Sequence, residues 1–121
     1  MAYILVIDDD RKIREMVCDL LEDAGHEVVG APNGKIGLEL QRQAPADLII
    51  TDIFMPEKGG PEFIMDLNDE FPQSKIIAIS GGGNIKDVDY LQLAQNLGAI
   101  KTFQKPFVLK EFKAAVEEIL Q

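Results

Sequence analysis

Five short apolar runs alternate with stretches of helical character, and this alternation constrains the fold more than any other feature of the chain. The runs have the aliphatic and β-branched composition of strands, and they are YILVI (3–7), HEVVGA (26–31), DLIIT (47–51), KIIAIS (75–80) and AIKTF (99–103). Parallel strands joined by right-handed helical crossovers satisfy such an order. We therefore predict an α/β, doubly wound sandwich in which strands two to five are buried on both faces.

Apolar spacing and capping residues predict the helices between these strands. Asp10 can cap the first helix and Gly25 can end it. The second helix is predicted from about 34 to 43, the third from 61 to about 71, and the fourth from after Asn84 to Gly98. The predicted inward residues are Ile13, Met16, Val17, Leu20, Leu21 and Ala24 in the first helix, and Leu109, Phe112, Val116, Ile119 and Leu120 in the last.

Composition limits the number of domains and the class of partner. The 121 residues are 46% hydrophobic, which is enough for one domain, 1–121, with a real core. Twenty-one acidic and 12 basic residues give a formal charge of -9, so direct binding to nucleic acid is not expected. No apolar stretch approaches the roughly 20 residues that cross a bilayer. One cysteine and no secretory signal favour the cytoplasm.

Polar residues follow the predicted strands at the edge of the sheet where such folds bind ligands. Asp8 and Asp9 end strand one, Asp52 ends strand three, Ser80 ends strand four and Lys105 follows strand five. Three neighbouring carboxylates repel one another unless a cation compensates, and oxygen ligands with room for water suit Mg²⁺. Because an aspartate can itself attack a phosphoryl group, Asp52 is the central candidate for a nucleophile.

The same residues resemble the receiver domain of two-component response regulators. The resemblance rests on Asp8 with Asp9, on DIFMP (52–56) with Gly60, on Ser80, and on KPF (105–107), and it covers the whole chain. It implies a flavodoxin-like (βα)5 sandwich whose five parallel strands have the order 2-1-3-4-5. It also implies a phosphorylation-dependent signalling switch that catalyses only its own phosphorylation and dephosphorylation.

By this resemblance Asp52 accepts a phosphoryl group from a sensor histidine kinase or a histidine phosphotransfer protein. Asp9, Asp52 and the backbone carbonyl of Phe54 would hold Mg²⁺, while Asp8 would act mainly through metal-bound water. Ser80 would hydrogen-bond the phosphoryl oxygens.

The resemblance also assigns Lys105 to the phosphoryl oxygens and implies a cis peptide between Lys105 and Pro106. Phosphorylation is expected to move the loop 80–84 and the fourth helix, and so to alter a surface of helix four, strand five and helix five for a downstream partner. Thr102 stands where the family often has an aromatic residue, so rotation of a ring there is not expected to carry the signal. We expect either a stand-alone regulator or a receiver excised from its output domain.

Two other functions fit part of the pattern. An aspartyl-phosphate phosphatase of the haloacid dehalogenase type would need a second aspartate two residues after Asp52, where Phe54 stands. A non-phosphorylated docking module would typically have lost one of the acids or the lysine.

Among residues outside the pattern, His26 is predicted to be an exposed polar residue, Cys18 a small apolar filler, and GGGN (81–84) a strand-to-helix turn.

Overall fold

The computed structural model describes residues 2–53, 60–80 and 92–121, which form five strands and five helical segments. The strands are β1 (Tyr3–Ile7), β2 (Glu27–Ala31), β3 (Leu48–Asp52), β4 (Ile76–Ser80) and β5 (Lys101–Gln104). The helical segments are α1 (Arg11–Asp23), α2 (Gly34–Gln43), α3 (Gly60–Glu70), α4 (described over residues 92–96) and α5 (Leu109–Leu120).

All five strands are parallel and lie in the order β2-β1-β3-β4-β5, which confirms the predicted fold. In this order β3 lies between β1 and β4, with Ile7 of β1 opposite Thr51 of β3 and Asp52 of β3 opposite Ile79 of β4. The chain reverses its direction of travel across the sheet at β1, where parallel α/β sheets bind ligands. The ends of β1 and β3 therefore meet at one edge of the sheet.

Burial differs between the central and the outer strands. Every residue of β3 and β4 is buried, as predicted. The same prediction is wrong for β2 and β5, which contain exposed and partly exposed residues. These two strands lie at the edges of the sheet and have a neighbouring strand on one side only, so less of each is covered.

Capping side chains fix where the helices begin and end. The Asp10 carboxylate accepts the backbone N–H groups of Lys12 and Ile13, and Gly25, with φ +95°, follows the end of α1. Gly98, with φ +119°, follows α4 in the same way. The predicted bounds of α2 are confirmed, and those of α3 differ by one residue. The predicted start of the fourth helix, after Asn84, lies outside the described residues.

Two apolar clusters pack on the two faces of the sheet. One contains Phe63 of α3 and the other contains Phe112 of α5, and both rings are fully buried. The predicted inward position of Met16 is wrong, because its side chain is 40% exposed at the margin of the apolar stripe of α1. Leu109, in the first turn of α5, is likewise 38% exposed.

His26, immediately before β2, corrects another expectation. Its imidazole is only 8% exposed, so the prediction of an exposed polar residue is wrong. Nδ1 accepts the backbone N–H of Ala2 at 3.1 Å, so Nε2 carries the proton and donates to Oε1 of Glu117 at 2.7 Å. The side chain therefore joins the start of the sheet to α5.

Candidate functional site

Three carboxylates gather where β1 and β3 end. Asp8 and Asp52 are almost fully buried, at 2% and 4% exposure, whereas Asp9 is exposed. One carboxylate oxygen from each of the three lies within 4.8 Å of the others. Buried, closely spaced carboxylates are unfavourable unless positive charge compensates them. The three carboxylates could together hold a metal ion.

Lys105 provides part of that compensation. Its Nζ lies 3.0 Å from Oδ2 of Asp8 and 3.3 Å from Oδ2 of Asp52. Burial lowers the pKa of Lys105, but the carboxylates of Asp52 and Asp8 outweigh this effect and hold the pKa above its ordinary value. The peptide between Lys105 and Pro106 is cis, which confirms that expectation. A protonated ammonium group thus lies between two buried acids.

Ser80 lies at the end of β4, beside this cluster in the sheet. Its side chain is fully buried, and within the described part of the chain its Oγ has no hydrogen-bond partner. The N–H of Lys105 donates to the carbonyl oxygen of Ser80 at 2.7 Å, which couples the two strand ends. A buried hydroxyl that lacks a partner costs free energy, and the Ser80 hydroxyl could be satisfied by a hydrogen-bonding ligand.

The turn from β1 into α1 is held by three contacts on Asp8. Its backbone N–H donates to Ala31 of β2 at 3.2 Å, and its Oδ1 accepts the N–H of Asp10 at 2.9 Å. Its carbonyl oxygen accepts a hydrogen bond from Nη1 of Arg14 at 2.7 Å. Sequence reasoning missed Arg14. The available signal was its place one helical turn after the capping Asp10, on the helix that leaves the acidic turn.

The donor set fits a hard divalent cation. All the side-chain ligands offered are carboxylate oxygens, as Mg²⁺ prefers. Oδ2 of Asp8 contacts Nζ of Lys105 at 3.0 Å, and a carboxylate oxygen with two lone pairs can serve an ammonium group and a metal ion together. The predicted fourth ligand, the carbonyl of Phe54, lies outside the described residues.

Other polar or reactive groups lie apart from the acidic cluster. Burial, reinforced by Glu22, raises the pKa of the Cys18 thiol to about 11, so the thiol is protonated and inert at neutral pH. His26 is bonded to Ala2 and Glu117. The predicted turn at 81–84 lies outside the described residues.

A family model described as the response regulator receiver domain matches residues 4–117. The chain belongs to the response regulator receiver domain family. The residues that the family model matches include the three acids, Ser80 and Lys105. The family assignment therefore covers the residues of the candidate site.

Relatives of this receiver domain occur alone and within longer proteins. The chain is 34% identical to chemotaxis protein CheY of Thermotoga maritima over 111 residues, covering 91% of this chain and 86% of the relative. It is 35% identical to the DNA-binding transcriptional regulator NtrC of Azospirillum brasilense over 119 residues, covering 98% of this chain. The chain spans only 24% of that NtrC relative's length.

Solved structures give the same family. A response regulator receiver domain protein from Clostridium thermocellum superposes with a TM-score of 0.90 at 30% identity, covering 99% of this chain and 94% of that one. Chemotaxis response regulator CheY4 of Vibrio cholerae superposes with a TM-score of 0.87 at 29% identity, covering 98% of both chains.

The family defines the general function. Receiver domains are signalling switches of two-component systems, they bind Mg²⁺ at an acidic pocket, and they interact with histidine kinases and downstream effectors. The family match does not favour the phosphatase or the docking module as alternatives. Among the described residues, no helix combines the length and apolarity needed to cross a membrane.

Proposed function

We propose that Asp52 is the residue of this receiver domain that accepts the phosphoryl group, and that Asp8, Asp9 and Lys105 assist the transfer. The observation that carries the proposal is the position of the Asp52 carboxylate at the end of a central strand, 3.3 Å from a lysine ammonium group and beside two further acids. Fixed neighbours of this kind orient a nucleophile and compensate the charge that it receives.

In the proposed reaction an Asp52 carboxylate oxygen attacks the phosphorus of a phosphohistidine on a histidine kinase or phosphotransfer protein. A P–O bond forms and the P–N bond breaks, so Asp52 carries an acyl phosphate and the imidazole leaves with the bonding electron pair and takes up a proton. Asp9, Asp52 and the Phe54 carbonyl would hold Mg²⁺, and Asp8 would act mainly through metal-bound water. When bound, the ion supplies positive charge to the phosphoryl oxygens.

Two further side chains would complete the phosphoryl site. Lys105 is close to Asp52 before phosphorylation and would transfer its ammonium contact from the carboxylate to a phosphoryl oxygen. Ser80 would donate its buried hydroxyl proton to another phosphoryl oxygen. Ser80 ends β4 and Lys105 follows β5, and the N–H of Lys105 donates to the Ser80 carbonyl, so little reorganisation is needed.

Intact-mass measurement tests this proposal. The protein is incubated with Mg²⁺ and a small-molecule phosphodonor, with and without the Asp52→Asn substitution, which keeps the shape of the side chain and removes the nucleophile. We expect one phosphoryl group on the wild type and none on the variant, with both proteins folded. Labelling of the variant at another residue would contradict the role of Asp52. Rapid turnover to free phosphate would support the phosphatase, and no labelling of the wild type would support a docking module.

We also propose that residues 1–121 act as one receiver domain whose output surface comprises α4, β5 and α5. Lys101, Lys110 and Lys113 are exposed and belong to β5 and α5. Thr102 of β5 offers no ring that could rotate, so the signal is expected to depend on the segment after Ser80. The cytoplasmic location stays a prediction from the sequence.

Amide hydrogen exchange with and without beryllofluoride, a phosphoryl mimic, tests the output surface. Residues 81–91 lie outside the described part of the chain, and exchange measures them directly. We expect protection to rise across residues 80–95, because the mimic contacts Ser80 and Lys105 at the start of the proposed surface. Changes confined to the turn after Asp52 would mean that the signal leaves by another face.

A further inference from the structure

Arg14 is half-buried on α1 and points back toward the acidic turn from which the helix starts. Its Nη1 donates to the carbonyl oxygen of Asp8 at 2.7 Å, which is short for a neutral acceptor and typical of a charge-assisted bond. Asp8 is itself one of the three acids of the cluster. The guanidinium group therefore contacts the backbone of a candidate metal ligand and leaves its carboxylate free for other contacts.

The contact controls more than one residue, because a carbonyl oxygen belongs to a rigid peptide unit. The Asp8 carbonyl and the Asp9 N–H share one plane, so a donor that holds the carbonyl also sets the direction in which Asp9 leaves the strand. Asp9 is exposed and is the least enclosed of the three acids. Its position relative to Asp8 and Asp52 thus depends on the orientation of this peptide.

The hydrogen bond from Arg14 to Asp8 belongs to a ring of hydrogen bonds that also includes Asp10. The N–H of Asp10 donates to Oδ1 of Asp8, the Asp10 carboxylate caps α1, and the backbone N–H of Arg14 donates to the Asp10 carbonyl at 2.9 Å. The Arg14 side chain then returns to the Asp8 carbonyl. The first turn of α1 and the acidic turn are therefore one hydrogen-bonded unit.

The neighbouring strand leaves room for this side chain. A Cβ atom on Gly30 of β2 would lie 3.2 Å from Cδ and 3.3 Å from Cγ of Arg14, which is closer than side-chain atoms ordinarily pack. The absence of a side chain at Gly30 lets the aliphatic part of Arg14 lie along β2. Packing of the stem against the strand limits the rotamers of Arg14 and so holds the guanidinium near Asp8.

We propose that Arg14 is a positioning residue for the divalent cation: by holding the Asp8 carbonyl it orients the peptide that carries Asp9, and so arranges the acids for binding. This inference rests on the proposed Mg²⁺ site. The proposal and simple electrostatics predict opposite effects on Mg²⁺ affinity. Removing a positive charge near three acids would by itself strengthen cation binding. If positioning dominates, removing Arg14 weakens binding.

Magnesium titration followed by backbone amide resonances tests the proposal. The Arg14→Met variant keeps an unbranched stem and loses the donors. Arg11→Met is the matched control, because it removes the same charge from the same helix at an exposed residue that pairs with Glu15. We expect Arg14→Met to weaken Mg²⁺ binding about tenfold, the low end for residues that orient metal ligands. Arg11→Met should bind Mg²⁺ as tightly as the wild type does, or slightly more tightly, because it removes only the charge.

A second measurement reports the orientation of the peptide between Asp8 and Asp9. In metal-free buffer the amide resonance of Asp9, which shares the peptide unit held by Arg14, should shift in Arg14→Met and stay in place in Arg11→Met. If Arg14→Met is unfolded at the assay temperature, Arg14→Gln replaces it, because glutamine is too short to maintain the contact, and the same results are expected.

The outcomes separate this inference from the proposed function. Mg²⁺ binding by a folded Arg14 variant as tight as in the wild type, or tighter, would overturn the positioning role and leave the metal site standing. A lower melting temperature with unchanged Mg²⁺ affinity would have the same meaning, since it indicates a purely structural contact. Failure of the wild type to bind Mg²⁺ would overturn the metal site and this inference together.

Discussion

The ammonium nitrogen of Lys105 lies 3.3 Å from Oδ2 of Asp52 although 53 residues separate the two along the chain. The same nitrogen is 3.0 Å from Oδ2 of Asp8. One cation thus compensates two buried carboxylates from the central strands. Removing it would leave both acids in a site where they are almost completely excluded from water.

We therefore expect Lys105→Met to lower the free energy of unfolding by about 3 kcal/mol in metal-free buffer, the scale for breaking a buried ion pair. Urea denaturation at neutral pH measures the change. Lys101→Met is the control, because Lys101 is exposed on β5, the strand that leads to Lys105, and its loss should change stability by less than about 0.5 kcal/mol. Equal effects of the two substitutions would contradict the compensating role of Lys105.

The stability gained from Lys105 should also depend on pH in a defined direction. The folded protein raises the pKa of Lys105 above its ordinary 10.5. A group with a raised folded pKa stabilises the fold below its unfolded pKa and loses that effect as pH rises through the folded pKa. The advantage of wild type over Lys105→Met should persist through neutral and moderately alkaline pH and shrink above pH 10.5. A stability advantage of wild type over Lys105→Met that increased at alkaline pH would contradict this prediction.

Asp9→Asn should act in two opposite ways. It removes a candidate ligand and so should weaken Mg²⁺ binding, but it also relieves repulsion in the acidic cluster. In chelator we expect the variant to be more stable than wild type by about 0.5 kcal/mol, because Asp9 is exposed and solvent screens its charge. Thermal melts with and without Mg²⁺ measure both effects.

Asp19→Asn provides the control for the overall acidity of the protein. It removes one negative charge from an exposed position on α1, outside the cluster. Its melting temperature in chelator should change less than that of Asp9→Asn. A lower melting temperature for Asp9→Asn than for wild type in chelator would contradict the prediction that repulsion among the three carboxylates destabilises the metal-free protein.

Gly37 of α2 packs directly against β1, next to the acidic turn. A Cβ atom there would lie 2.5 Å from Cδ1 and 2.9 Å from Cγ1 of Ile7, the residue before Asp8. We expect Gly37→Ala to destabilise the fold by about 1 to 3 kcal/mol through overpacking. Adding Ile7→Val removes the closest atom, so the double variant should lose less than the sum of the two single effects in urea denaturation. Additive losses would mean that the two residues do not collide.

The sequence predicted the fold and the meeting of the strand ends because both follow from local patterns. Five apolar runs separated by helices specify a parallel sheet, and the last residue of each strand is then placed at one edge. Asp8, Asp9, Asp52 and Lys105 are close together in the structure for that reason. Their chemical roles stay predictions until the phosphorylation and metal-binding experiments are done.

The residues that sequence reasoning misjudged depend on contacts between distant elements. His26 bonds to Glu117, 91 residues away, and no periodic pattern records such a pair. Arg14 has the spacing of an ordinary charged helix residue, and only the turn of the chain at Asp8 brings the carbonyl within its reach. Met16 has helical spacing too, but its angle on α1 places it at the margin of the buried stripe.

Two buried hydroxyl groups at the ends of β3 and β4 differ in their hydrogen bonding. Oγ1 of Thr51 donates to the carbonyl oxygen of Asp52 at 2.9 Å, whereas Oγ of Ser80 has no hydrogen-bond partner within the described residues. Both side chains are fully buried. A satisfied buried hydroxyl contributes to stability, and an unsatisfied one costs free energy.

Ser80→Ala should therefore leave the unphosphorylated protein as stable as wild type, or stabilise it by about 1 kcal/mol, because it removes a buried polar atom that has no partner in the described part of the chain. Thr51→Val should instead lower stability by about 1 kcal/mol, since it removes a hydrogen bond that is made. If Ser80 is kept for the phosphoryl group, Ser80→Ala should also weaken binding of beryllofluoride, measured by titration in Mg²⁺, several-fold for the loss of one hydrogen bond of about 1 kcal/mol. Loss of stability in Ser80→Ala together with unchanged beryllofluoride affinity would assign Ser80 to the fold and not to the phosphoryl site.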